Sequence, residues 1–211
     1  MHDDTPLHLS FNDGRPDLRD LAEVQAALLQ AGVGLWPLDL TSLPAEARHL
    51  LEPAVLSAEE RAELLAACLL PRDRLLAIIA DAGRSPQVAG GGALETRVVN
   101  HGYDYPQLFV QDPDSDFGRF ERYHVNRADD GTAVDEVIQI LSGGGIRILR
   151  RLEDGSELVL SLDCPDGDQG WLLTYEGGRP HIGSLSRARP GTKAVVQVIG
   201  PPTWTMTDLD D

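Results

Sequence analysis

Residues 122–137 read RYHVNRADDGTAVDEV. The stretch holds one histidine, His124, and five side chains with carboxylate or amide oxygens: Asn126, Asp129, Asp130, Asp135 and Glu136. Two readings fit it: half of a metal site, or an acidic hairpin loop that happens to carry a histidine. On a strand, residues two apart project to one face, so His124 and Asn126 point the same way. The "DDG" turn then returns the chain, and Glu136 stands near the start of the next strand-like run, "VDEVIQIL". Asp135 is adjacent to Glu136 and falls on the opposite face. Asp129 and Asp130 are expected in a solvated loop.

The two-residue periodicity extends well beyond this stretch. "LETRVVN", "QLFVQ", "RFERYHVN", "VDEVIQIL", "IRILRRL", "SELVLSLD", "GWLLTYE", "PHIGSLS" and "KAVVQVIG" are short runs rich in β-branched and aromatic residues, separated by Gly, Pro or Asp. So many short strands in one stretch predict a sandwich or small barrel. The first third differs. "DLRDLAEVQAALLQAG" puts Leu21, Val24, Leu28 and Leu29 on one helical face with Gly32 as a stop. Ser57 and Glu60 have the spacing of a capping box, with a helix expected from there to Pro71, and "RDRLLAIIADAG" reads as a third helix ending near Gly83. The expected organisation is a flexible N-terminus (1–17), a helical segment packed on the barrel (18–90), a β-barrel (91–205) and a frayed tail (206–211).

Formal net charge is −16, which repels phosphate backbones and argues against a nucleic-acid partner. No apolar run approaches the roughly 20 residues of a membrane span, and the acidic, polar start "MHDDTPLHLSFND" does not read as a secretory signal. Two cysteines, Cys68 and Cys164, exclude a disulfide scaffold and a cysteine-rich zinc site. Reduced, packed cysteines point to the cytoplasm.

A small barrel holds a metal by converging inward side chains from neighbouring strands. His124 and Asn126 sit on one strand, Glu136 begins the next, and His181 begins a later one. This spacing resembles the cupins, whose two motifs surround a metal inside a small β-barrel. Gly118 and His124 match the first motif's glycine and first histidine, and Glu136 and Gly143 match its glutamate and closing glycine. Gly170, Gly178 and His181 match the second motif. Within the cupins the chain is most similar to the acireductone dioxygenases. "LAEVQAALLQAGVGLWPL" resembles their helical N-terminal segment and "KAVVQVIGPPTWT" their end, so the likeness runs over roughly 18–205.

The departures from that family are specific. Asn126 stands where a second histidine is usual, and Glu176 where a proline is usual. The linker to Glu136 is longer, and Ile138 occupies the place of a substrate-binding arginine. The resemblance implies a mainly β, cupin-like double-stranded β-barrel (jelly roll). It implies a metal-dependent, dioxygenase-like oxidoreductase that oxidises a small, polar, chelating metabolite. His124, Glu136 and His181 would hold a divalent metal, Fe(II) first and nickel, manganese or zinc as alternatives. Two histidines and one carboxylate compose the open facial site of non-haem iron oxygenases. Asn126 would face the cavity as a weak ligand or substrate contact, and Glu176 is a candidate general base. The remaining alternatives are a non-catalytic cupin that binds a small molecule, and a zinc-dependent isomerase or hydrolase. A monomer or homodimer is expected, with no membrane partner. Arg97, Arg147, Arg150 and Gln139 alternate with apolar residues and are expected outside the barrel unless one turns in to meet an acidic substrate group. His101, Trp171 and Tyr175 are expected in structural roles.

Overall fold

The structure, a computed structural model, describes residues 6–85, 98–100, 103–115, 117, 120–165, 167–201 and 203–209. The chain begins with β1 (Leu7–Phe11), whose alternate residues Leu7 and Leu9 are buried. Helix α1 (Leu21–Gln30) is capped by Asp20, whose carboxylate accepts from the backbone N–H groups of Ala22 and Glu23. It ends at Gly32, which takes a φ of +69°. Strand β2 (Gly34–Asp39) and helices α2 (Ala45–His49), α3 (Ala58–Cys68) and α4 (Arg72–Asp81) follow. The Ser57–Glu60 capping box starts α3 as its spacing predicts.

Beyond them come strands β3 (Val98–Asn100), β4 (Tyr103–Tyr105), β5 (Gln107–Val110), β6 (His124–Arg127), β7 (Asp135–Ser142), β8 (Ile146–Arg151), β9 (Glu157–Leu162), β10 (Gln169–Glu176), β11 (His181–Ser184), β12 (Lys193–Ile199) and β13 (Thr205–Asp208). They form a six-stranded sheet in the order β1-β9-β8-β11-β6-β13 and a five-stranded sheet in the order β2-β10-β7-β12-β5, with β3 and β4 as a separate hairpin. From β9 onward each successive strand changes sheet, which gives the jelly-roll character of a cupin-like fold. Among the described residues the pairs make two facing antiparallel sheets rather than one hydrogen-bonded ring. Ile146, Ile148 and Leu160 of one sheet meet Ile138, Ile140 and Leu173 of the other in the core between them.

The outer face of the five-stranded sheet is also covered. Leu64 and Cys68 of α3 cluster with Leu108, Leu141 and Val195, and Leu75, Ile78 and Ile79 of α4 cluster with Val137, Leu172 and Ile199. Two glutamines pin this layer. Gln139 donates to the carbonyl of Cys68, and Gln197 both accepts from and donates to the backbone of Leu70. Lys193 donates to the carbonyls of Leu51, Pro53 and Gly191. Burial on both faces explains why "KAVVQVI" lacks polar alternation.

Three expectations need correction. Residues 7–11 are not a flexible end, because β1 pairs with β9 along its whole length and buries two leucines. Residues 206–208 are not a frayed tail, because β13 pairs with β6 from Thr205 to Asp208. The segment 18–90 is not purely helical, because β2 joins the five-stranded sheet. There Pro37 is tolerated because β2 is the edge strand. No described helix is long and apolar enough to cross a membrane.

Gly143 illustrates why the motif glycines matter. It takes a φ of +81°, and a Cβ there would stand 2.2 Å from Thr192 Oγ1 and 2.6 Å from Thr192 Cα. Gly143→Ala is therefore expected to lower the unfolding free energy by at least about 2 kcal/mol, measured by urea denaturation followed by circular dichroism.

Candidate metal centre

His124 on β6 and His181 on β11 face each other directly across the strand pair, with ring centroids 4.4 Å apart. Glu136 on β7 reaches them from the opposite sheet, and its Oε1 lies 3.4 Å from His181 Nε2. Asn126, two residues after His124, shares its cavity and donates from Nδ2 to Glu136 Oε1 at 2.7 Å. Tyr175 stands opposite Glu136 in the β7–β10 register and donates its hydroxyl to Glu136 Oε2 at 3.2 Å. His124, Asn126, Glu136 and His181 are all buried.

The imidazoles are oriented by their own strands. His124 Nδ1 lies 2.9 Å from the carbonyl of Arg122, and His181 Nδ1 lies 2.8 Å from the carbonyl of Arg179. A carbonyl only accepts, so each Nδ1 carries a proton and Nε2 is the ring nitrogen left for a ligand. Burial pushes the His124 imidazole down, and the charge of His181 adds to this, to a pKa of about 4. It is neutral at pH 7. Burial also pushes the Glu136 carboxyl up, but the His181 and His124 imidazoles and the Asn126 amide outweigh it and hold the group below its usual value.

The donor set fits a divalent cation: two imidazole nitrogens and one ionised carboxylate from three strands. His181 Nε2 and Asn126 Oδ1 are buried without hydrogen-bond partners. The set is not closed around an ion, however. Among the described residues no three His, Cys, Asp or Glu side chains are arranged to hold a metal, and both oxygens of Glu136 already accept protein hydrogen bonds.

The other sequence candidates fall elsewhere. Asp135 turns to the outer face, as alternation requires, and pairs with Arg84 at 2.7 Å. Asp129 and Asp130 are exposed, and Asp130 accepts from the backbone N–H of Thr132. Glu176 does not join the cavity. Alternation turns it away from the face of Tyr175 into a cleft beside Arg179, so it cannot serve as a general base at this centre. Arg147 lies outside and Gln139 holds α3, as expected of outer-face residues. Arg150 is instead buried, on the inward face of β8 with Ile146 and Ile148. Trp171 packs in the core and donates to the carbonyl of Asp163. Arg97, His101 and Gly118 lie outside the described residues.

Tyr175 is more than core packing, because its hydroxyl reaches Glu136. Its register against Glu136 is what reveals this. The rest of the cavity is apolar, walled by Ile138, Ile140, Ile146, Ile148, Val196, Phe109, Phe120 and Trp204.

Two facing jelly-roll sheets with inward histidines and a glutamate at one end of the cavity define a cupin-like fold. The chain is similar in structure to acireductone dioxygenase from Bacillus anthracis with a cadmium ion in its active centre. That likeness has a TM-score of 0.58 at 18% identity and covers 94% of each chain. No family model matches the chain, and no curated protein matches it. At this identity the likeness establishes the fold.

In metal-free protein, Asn126→Ala removes the closest donor to a buried carboxylate. A loss of about 1–3 kcal/mol is expected, read from denaturant unfolding in the presence of a chelator.

Proposed function

We propose that this chain is a cupin-type, metal-dependent oxygenase whose divalent ion is held by His124, Glu136 and His181. The observation that carries this reading is the pair of imidazoles, each with Nδ1 held by a backbone carbonyl, beside a buried carboxylate next to a largely apolar cavity. Fe(II) suits the two-histidine, one-carboxylate set, and nickel, manganese or zinc share its ligand preferences. When bound, such an ion supplies Lewis acidity and open positions for oxygen and a chelating substrate.

The chain's own residues do the rest. Asn126 holds Glu136 in place through Nδ2 and leaves Oδ1 as an acceptor for a substrate hydroxyl. Tyr175 fixes the other carboxylate oxygen. The apolar walls exclude water and suit a substrate with a polar chelating head and an apolar body, which narrows the small polar metabolite expected at first. The occupant is a small molecule.

A second reading has its own observation. Asn126 and Tyr175 satisfy both oxygens of Glu136 without any ion, which suits a non-catalytic small-molecule-binding cupin. A zinc-dependent isomerase or hydrolase would keep the ion and lack oxygen chemistry.

Metal analysis of protein purified without added metal tests the first reading. A stoichiometric divalent metal is expected in the wild type and its loss in His181→Ala; equal content in both would remove these three residues as ligands. Oxygen uptake then separates an oxygenase from a zinc enzyme. Asn126→His replaces a neutral amide by imidazole, so metal affinity is expected to rise at least tenfold, about 1.4 kcal/mol, by competition with a chelator.

A further inference from the structure

Behind Tyr175, away from the metal-centre cavity, the C-terminal ends of α1 and α4 and the ends of the strands enclose a separate cleft. Arg84, Arg150, Arg179 and Glu176 line it. Arg150 stands opposite His181 in the β8–β11 register, and its guanidinium lies 5.7 Å from the centre of the Tyr175 ring. It is 1% exposed, and its Nη1 donates to the backbone carbonyl of Glu176 at 3.2 Å. Its Nε has no partner. Among the described residues no carboxylate lies within ion-pair distance of it.

Its neighbours differ. Arg84 is paired with Asp135 and also donates to Thr174, and Arg179 meets Glu153 at 3.1 Å. Burial pushes the Arg150 guanidinium down to about 10, so it remains cationic at neutral pH. A buried charge without an ion-pair partner opposes folding, and the inward positions before it on β8 are Ile146 and Ile148. Carboxylates of the cleft, Glu176 among them, act on it only from beyond ion-pair distance, so its Nε stays open to an acceptor from outside.

We propose that this cleft is a second ligand site, in which Arg150, with Arg179 and Arg84 at its rim, takes the carboxylate group of a small monoanion. A planar carboxylate matches the guanidinium fork. Glu153, Asp154 and Glu176 also line the cleft and would repel a dianionic phosphate more strongly than a monoanion. The site does not depend on the metal centre being loaded.

Thermal unfolding at matched ionic strength tests this with acetate, inorganic phosphate and chloride as probes. Saturating acetate is expected to raise the wild-type Tm by about 3 °C or more, phosphate by less, and chloride not at all. Arg150→Met fills the same space without the charge, so it should fold, with Tm at or above that of the wild type, and lose the acetate response. Arg179→Gln, at the exposed rim, should fold like the wild type and raise the acetate concentration for half-effect at least threefold. An equal rise with chloride means screening only and overturns the site. So does an undiminished acetate response in Arg150→Met or Arg179→Gln. A larger response to phosphate overturns the monoanion assignment.

Discussion

A carboxylate between two apolar sheets must be balanced, and Glu136 is the group around which the centre is built. Leaving an ionised carboxyl in such a place without partners would be very unfavourable. Here Asn126 meets one oxygen, Tyr175 meets the other, and the two imidazoles stand beside it. These four residues come from three strands: β6, which carries His124 and Asn126, β10 and β11 converge on β7. The strand registers and the polar cluster are therefore one constraint. A slip of one residue in β7 would exchange Glu136 with Asp135 and carry the carboxylate to the outer face.

That register is held from both sides. The inner faces of β7, β10 and β12 pack on the opposite sheet, while α3 and α4 seal their outer faces. Asp135 is tied to Arg84, just beyond α4, and Arg84 also reaches Thr174, whose hydroxyl donates to the backbone carbonyl of Glu136. The helical layer thus does more than cover a sheet. It fixes the adjacent residue of the strand that presents Glu136. The glycines act in the same way at close quarters. A Cβ at Gly170 would stand 2.2 Å from the carbonyl of Ile140, and one at Gly178 would stand 2.5 Å from the Ala133 methyl. Their spacing in the sequence is the spacing of tight approaches between strands.

This explains which features were legible in the sequence. Strand alternation placed His124 and Asn126 in one cavity and sent Asp135 to the other face, since both follow from local geometry alone. The Ser57–Glu60 cap and the glycine stop after α1 are local too. Strands β1 and β13 were missed because their identity depends on distant partners, β9 and β6. "LHLSF" does alternate, but over only five residues in a polar stretch, and "TMTD" has a single apolar residue. The role of Tyr175 was hidden for the same reason: a tyrosine in a β-rich run usually packs, and only its register against Glu136 shows its hydroxyl at work. The turn of Arg150 into the molecule was hidden by its neighbours, because Arg147, Arg150 and Arg151 look alike on paper while alternation sorts them to different faces.

Asn126 gives the centre its character. An imidazole at this position would take the place of the amide N–H that meets Glu136 Oε1. The amide presents an N–H to the carboxylate and keeps its oxygen free. On the proposed reading, this hydrogen bond lets the polar cluster persist without an ion. The same hydrogen bond weakens the carboxylate as a ligand by sharing its charge. On the proposed reading, Asn126 and a cation would compete for Glu136 Oε1, and that competition separates a loaded enzyme from a metal-free binding protein.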